Sequence, residues 1–124
     1  MGDLREPLPG RAGGGGVSGT LSRIQALVAA GDYRLSDHAY QKLEERDILP
    51  TQIVNGLQSA SVVEEYPDAE RGPTILVLVR DQNGGAIHAL WGMPRDGANV
   101  AVLITAYRPN ADEWTPDFTG RIKT

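Results

Sequence analysis

The apolar positions between residues 20 and 57 recur every three or four residues, which is the period of a helix that packs on one side. Ser36 has the side chain that a helix N-cap requires, and Pro50 suits the first turn of a helix. The pattern therefore predicts three helices, over residues 20–31, from Ser36 to about Arg46, and from Pro50 to about Leu57.

After Gly56 the apolar pattern changes to the two-residue alternation of strands. Four strands are predicted, separated by turns that contain proline, glycine and asparagine: Ser61–Tyr66, Thr74–Arg80, Ala86–Trp91 and Asn99–Tyr107. The second strand is a continuous apolar run, which is typical of a strand covered on both faces. Along the fourth strand, strict alternation puts Leu103, Thr105 and Tyr107 on one face. The order of elements predicts an α+β fold, with two or three N-terminal helices on one face of a four-stranded antiparallel β-meander.

The composition of the 124-residue chain fits one folded domain behind a glycine-rich segment. We expect residues 1–18 to form a flexible tail, because their apolar surface is too small to offset the entropy of ordering them, and residues 19–124 to form a single domain. The chain has no cysteine, no long apolar run and no signal-peptide pattern. These features predict a cytoplasmic protein without disulfides, thiolate metal sites or a membrane span.

The net charge of −4 gives the chain no overall attraction for nucleic acid, so a polyanionic ligand would need a local basic cluster. One such cluster is predicted on the second helix, where His38, Lys42 and Arg46 follow one another at four-residue spacing. A stripe of this kind fits a phosphodiester. It equally fits an ordinary solvated surface, because acidic residues lie on the same helix.

Histidine is the side chain of this cysteine-free chain that is best suited to proton transfer at neutral pH, and His38 and His88 are the two present. His88 lies in the third predicted strand, on the face opposite Ile87, as either a catalytic or a structural group. Tyr107 ends the last strand beside Arg108, where its phenol either donates a proton or covers the core edge. A metal-dependent enzyme is a further alternative, although no pair of these residues has metal-ligand spacing.

An ordered set of short motifs runs through most of the chain. The first is Asp37–Ile48, in which His-Ala is followed by a basic residue and then by Glu-Arg. The others are Glu64–Pro67, Ile75–Val79, Ala86–His88 and Ile104–Pro109, with Trp114 beyond them. Over about residues 32–123 this set resembles a widespread bacterial family, the domain of unknown function numbered 4258.

This family is similar to the barnase, colicin and RelE-type ribonucleases, and some members occur beside antitoxin-like proteins. The resemblance implies a sheet whose open face takes the ligand, and metal-independent RNA cleavage by the toxin domain of a bacterial toxin-antitoxin system. The implied partners are an RNA substrate and a cognate antitoxin, with no DNA, membrane or cofactor. The implied catalytic residues are His38, His88 and Tyr107, and the implied substrate-binding residues are Lys42, Arg46 and Arg108.

The acidic balance of the chain favours an alternative function on the same fold. In this alternative the protein is a catalytically silent module that binds a protein or a small ligand, and the basic stripe is a solvated helix face. The two functions differ in whether the histidines and the cations meet in one site.

Overall fold

Three α-helices, a short 3₁₀ turn and five strands make up residues 18–122, the part of the chain that the computed structural model describes. The predicted tail, residues 1–18, lies outside the described residues except for Ser18, which is the N-cap of the first helix. The helices are α1 (Gly19–Ala29), α2 (Asp37–Glu45) and α3 (Pro50–Gly56), with the 3₁₀ turn at Leu57–Ser59. The strands are β1 (Tyr33–Leu35), β2 (Ser61–Tyr66), β3 (Thr74–Arg80), β4 (Ala86–Gly92) and β5 (Ala101–Tyr107).

The five strands form one mixed sheet in the order β1-β5-β4-β3-β2. Strands β2 to β5 pair antiparallel in chain order, as predicted, but β1 pairs parallel with β5 at the sheet edge. The prediction of a four-stranded antiparallel meander is therefore wrong. Tyr33–Leu35 is too short to show an alternating pattern, and its partner Ala101–Leu103 is far away in the chain, so no local signal marks this strand.

Serine side chains fix the starts of the first two helices, and all three predicted helices are confirmed. Ser18 Oγ accepts a hydrogen bond from the Leu21 amide at 3.0 Å, and Ser36 Oγ accepts one from the Ala39 amide at 3.0 Å. Ser36 also ties α2 to the sheet, because its hydroxyl donates to the Ile104 carbonyl oxygen at 3.2 Å. No helix within residues 18–122 has the length and apolar character needed to cross a bilayer.

The helices cover one face of the sheet, and the described part of the chain covers the opposite face only in part. The helix-side core includes Ile24, Leu43 and Ile53, all almost fully buried. On the opposite face, here called the open face, a smaller cluster contains Leu76 and Leu78 of β3 together with Val63, Trp114 and Phe118. The C-terminal segment, residues 108–122, supplies the two aromatic rings. Strand β3 is thus buried on both faces, as its continuous apolar run predicted.

A bulge changes the alternation of side chains along β5. Leu90 of β4 pairs with Thr105, whereas the next residue of β4 pairs with Leu103, which leaves Ile104 as an extra residue. Leu103 consequently belongs to the helix-side core, while Thr105 and Tyr107 lie on the open face. The prediction that Leu103 shares a face with these two residues is wrong, because alternation does not continue through a bulge.

Candidate functional site

The open face carries a pocket with a volume of about 650 Å³. Its floor is apolar, since Leu76 of β3 lies directly beside Leu90 of β4. A loop, residues 67–73, borders one side, and Arg121 of the C-terminal segment borders the pocket as well. The lining residues are Tyr66, Pro67, Asp68, Ala69, Thr74, Leu76, Leu90, Thr105, Tyr107 and Arg121. A concave apolar surface with a few polar groups around it is the usual form of a small-ligand site.

Loop 67–73 is held in place by the segment that follows β4. The Arg95 guanidinium donates to the Ala69 carbonyl oxygen at 2.6 Å, and the Met93 amide donates to the Pro73 carbonyl oxygen at 3.0 Å. Gly72 makes this approach possible, because at its φ of +127° a Cβ atom would stand 2.0 Å from the Met93 carbonyl oxygen. The side of the pocket is therefore built on fixed backbone.

His88 and Tyr107 face each other across β4 and β5 beside the pocket. His88 Nδ1 lies 3.2 Å from the Tyr107 hydroxyl oxygen, and His88 Nε2 lies 2.8 Å from the Phe118 carbonyl oxygen. Because a carbonyl oxygen can only accept, Nε2 carries a proton, and in the neutral imidazole Nδ1 then accepts the proton of Tyr107. In this neutral tautomer the Tyr107 oxygen keeps its lone pairs for the pocket.

Burial controls the protonation of this pair. His88 is 0% exposed, and the Trp114 ring stands perpendicular to it with the ring centres 4.4 Å apart. Burial lowers the pKa of His88, and the opposing effects of the Phe118 carbonyl and the Glu64 charge do not restore it. Burial also raises the pKa of Tyr107. The structure thus favours a neutral imidazole and a protonated phenol at neutral pH.

Arg121 joins the C-terminal segment to β2. Its Nε and Nη2 atoms lie 2.7 and 3.2 Å from the two carboxylate oxygens of Glu64, and its guanidinium stacks on Trp114 at 4.6 Å. Tyr66 donates its hydroxyl proton to the same carboxylate. The bond from Arg121 lowers the pKa of Glu64, and Glu64 raises the pKa of Arg121 in turn. The pKa of Tyr66 is raised, first by burial and then by Glu64.

The predicted basic stripe does not line this pocket. His38 is exposed on α2, Lys42 pairs with Glu45 at 3.3 Å, and Arg46 Nη1 donates to the Ala106 carbonyl oxygen at 2.7 Å. The helix that carries them packs on the helix-side core, whereas His88 packs on the open face. Of these three residues, Arg46 acts on Tyr107, whose pKa its charge tends to lower.

Arg108 also points to a structural neighbour. Its Nη2 atom lies 2.9 Å from the carboxylate of Asp81, which in turn accepts the amide protons of Asn83 and Gly85. Arg108 thus closes the turn between β3 and β4. Of the six predicted site residues, the structure brings together His88 and Tyr107, and only Tyr107 lines the pocket.

Glu64, Tyr66 and Arg121 were not predicted as site residues from the sequence. The two-residue period of β2 places Glu64 and Tyr66 on the same face, so alternation offered a signal for this pair. Arg121 lies in an irregular segment that has no period, and no sequence signal identifies it. Within residues 18–122, no three histidine, cysteine, aspartate or glutamate side chains are grouped so that they could hold a metal ion.

Comparison with known proteins identifies a family. No curated protein and no solved structure matches the chain. The family described as Domain of unknown function (DUF4258) matches residues 35–108, from the last residue of β1 to the residue that follows β5. This segment contains the six predicted site residues and every residue that lines the pocket except Arg121. Because the match covers more than half of the 124 residues, this chain belongs to the DUF4258 family.

Proposed function

We propose that this protein is a catalytically silent module that binds a small ligand on the open face of its sheet. The observation that carries the proposal is the pocket of about 650 Å³, which is lined by Leu76 and Leu90 and by four residues that carry hydroxyl groups: Tyr66, Thr74, Thr105 and Tyr107. This volume falls in the range of pockets for small molecules, ~300–1,000 Å³. The apolar floor would bind the body of a ligand, and the polar groups would orient it.

The state of the titratable groups favours binding over catalysis. His88 is fully buried, has both ring nitrogens in hydrogen bonds, and resists protonation, which makes it a weak general base. Arg121 already holds a carboxylate with two of its nitrogens. Lys42 and Arg46 have partners outside the pocket. Among residues 18–122, the cations that a cleavage reaction would need are thus not gathered at one phosphate position.

The test is an amide NMR titration of the full chain with three planar probes, indole, benzamidine and benzoate, at millimolar concentration. We expect at least one probe to shift the amide signals of Leu90 and Thr105. Leu90→Lys should abolish these shifts, because it puts a long charged chain on the pocket floor. The matched control is Leu49→Lys, since Leu49 is 60% exposed and does not line the pocket. If no probe shifts those amides, the proposed function is refuted.

A second candidate function is the metal-independent ribonuclease of a toxin-antitoxin system, which was expected from the resemblance of the family to barnase, colicin and RelE-type enzymes; no solved structure matches the chain to support that resemblance. The specific observation in its favour is the His88–Tyr107 pair. The Tyr107 oxygen would take the proton of a ribose 2′-hydroxyl while its own proton passes to His88 Nδ1. The 2′-oxygen then bonds to phosphorus, the bond to the 5′-oxygen breaks, and the proton returns along the same path to that oxygen.

Purified protein incubated with RNA in the presence of a chelator tests this second candidate. A ribonuclease of this kind cleaves the RNA, and both Tyr107→Phe and His88→Phe abolish the cleavage. Expression of the chain then also slows cell growth unless a cognate antitoxin is present. Intact RNA with the unmodified protein excludes the ribonuclease and leaves the binding module.

A further inference from the structure

We propose that the pocket binds a small cationic ligand in which an amidine or ammonium group is joined to a planar apolar body. This inference rests on the ligand-binding function proposed above and names the class of ligand. It follows from the direction in which three hydroxyl groups of the lining residues point their protons, and from the charges around the pocket.

Three of the residues that line the pocket donate their hydroxyl protons to other groups of the protein. Tyr66 donates to the Glu64 carboxylate, and Thr74 donates to the Gly72 carbonyl oxygen at 3.0 Å. Tyr107 donates to His88 Nδ1 at 3.2 Å, as the tautomer of His88 requires. A hydroxyl has one proton and two lone pairs. Each of these oxygens therefore has lone pairs but no free proton, so it can accept a hydrogen bond from a ligand and cannot donate one.

The charged side chains around the pocket also favour a cationic ligand. Asp68 lines the pocket, and it forms no ion pair within residues 18–122. Arg121 also lines the pocket, but Glu64 binds it through two nitrogens and the guanidinium face rests on Trp114. Two carboxylates thus stand against one guanidinium, in a chain of net charge −4. Glu64 offsets the charge of Arg121, so Asp68 leaves the surroundings of the pocket negative and a cation is attracted, although the N–H groups of Arg121 that Glu64 leaves free could still donate to a ligand.

The apolar floor and the phenol rings define the rest of the ligand. Leu76 and Leu90 lie side by side on adjacent strands and form a flat apolar surface. Tyr66 and Tyr107 add aromatic surface, which attracts a cation as well as packing against a planar body. A planar apolar group would cover the floor while its amidine or ammonium group reaches the oxygens of the lining.

Three probes of the same shape separate donors from acceptors: benzamidine, benzamide and benzoate. In an amide NMR titration of the full chain at pH 7, we expect benzamidine to bind at least about tenfold more tightly than benzoate, with benzamide between them. Thr74→Val and Tyr107→Phe each remove one acceptor and should weaken benzamidine binding by about 2- to 10-fold. Tyr40→Phe is the matched control, because Tyr40 is 59% exposed on α2.

Each outcome has a definite meaning. Tighter binding of benzoate, or equal binding of all three probes on Leu90 and Thr105, overturns the cationic ligand but keeps the binding function. Unchanged benzamidine affinity in both folded variants, judged by their amide spectra, also overturns it. If neither these probes nor indole shift the pocket amides, the binding function itself fails. A preference for benzamidine that both variants reduce supports the assignment.

Discussion

The buried pair of His88 and Tyr107 allows one prediction to be worked through in detail. His88→Phe keeps an aromatic ring against Trp114 but removes both hydrogen bonds, which span 3.2 and 2.8 Å. The Tyr107 hydroxyl can turn toward the pocket, whereas the Phe118 carbonyl loses the donor that His88 supplied. A lost hydrogen bond costs ~1 kcal/mol and an unsatisfied buried group ~1–3 kcal/mol, so we expect a loss of about 2–3 kcal/mol in the free energy of unfolding.

The same substitution should change how stability depends on pH. Burial lowers the pKa of His88 in the folded chain from its usual value of 6.5, so the unfolded chain takes up a proton that the folded chain resists. The contribution of His88 to the free energy of unfolding is therefore constant well above pH 6.5 and decreases as the pH falls below 6.5. For one proton the loss between pH 7.5 and 5.5 is at most ~1.4 kcal/mol. The Phe side chain has no such proton, so this loss should disappear in the variant.

Urea unfolding of the full chain at pH 7.5, 6.5 and 5.5, followed by tryptophan fluorescence, measures both effects. His38→Gln is the matched control, because His38 is exposed; it should change the stability by less than ~0.5 kcal/mol and keep the loss at acid pH that His88 causes. The reasoning is refuted if the unmodified chain is as stable at pH 5.5 as at 7.5, or if His88→Phe shows the same acid-side loss.

Three further predictions concern residues around the pocket and on α2. Gly72→Ala should cost about 3 kcal/mol or more in urea unfolding, because its Cβ would stand 2.0 Å from the Met93 carbonyl oxygen. Gly97 also has a positive φ, but the space around it is open, so Gly97→Ala should cost only about 1 kcal/mol. Equal losses for the two variants would contradict the close approach of Gly72 to the Met93 carbonyl oxygen. Arg46→Ala should lower the free energy of unfolding by about 1–2 kcal/mol, because it removes the hydrogen bond to the Ala106 carbonyl oxygen. Lys42→Ala should lower it by less than about 0.5 kcal/mol, because Lys42 makes only an exposed ion pair with Glu45; a larger loss at Lys42 than at Arg46 would contradict this difference. Arg121→Lys should raise the pKa of Glu64 toward its usual value, because a lysine cannot donate to both carboxylate oxygens as the guanidinium does. Carboxylate NMR measures this pKa; an unchanged value would show that the two-nitrogen contact does not cause the lowered pKa of Glu64.

The sequence predicted the candidate site only in part. His88 and Tyr107 stood out because each ends or interrupts an apolar strand pattern, and the structure puts them in contact. The predicted stripe was also placed correctly, with His38 and Lys42 on α2 and Arg46 at its C-cap, but helical spacing does not show which part of the protein the helix faces. β1 pairs only with Ala101–Leu103, the first part of β5, so the Ala106 carbonyl oxygen farther along β5 is left for Arg46 to reach. This contact exists only after the sheet has assembled.

Features that depend on neighbours in the chain were determined by the sequence alone. The serine cap of α2, the proline start of α3 and the bounds of β2 and β3 all depend on side chains a few residues apart, whose period and hydrogen bonds act locally. The parallel pairing of β1, the bulge in β5 and the Arg121–Glu64 pair were decided only by the tertiary structure. Each joins segments that are distant in the chain, and their energies depend on distances that exist only after the sheet and the C-terminal segment have packed.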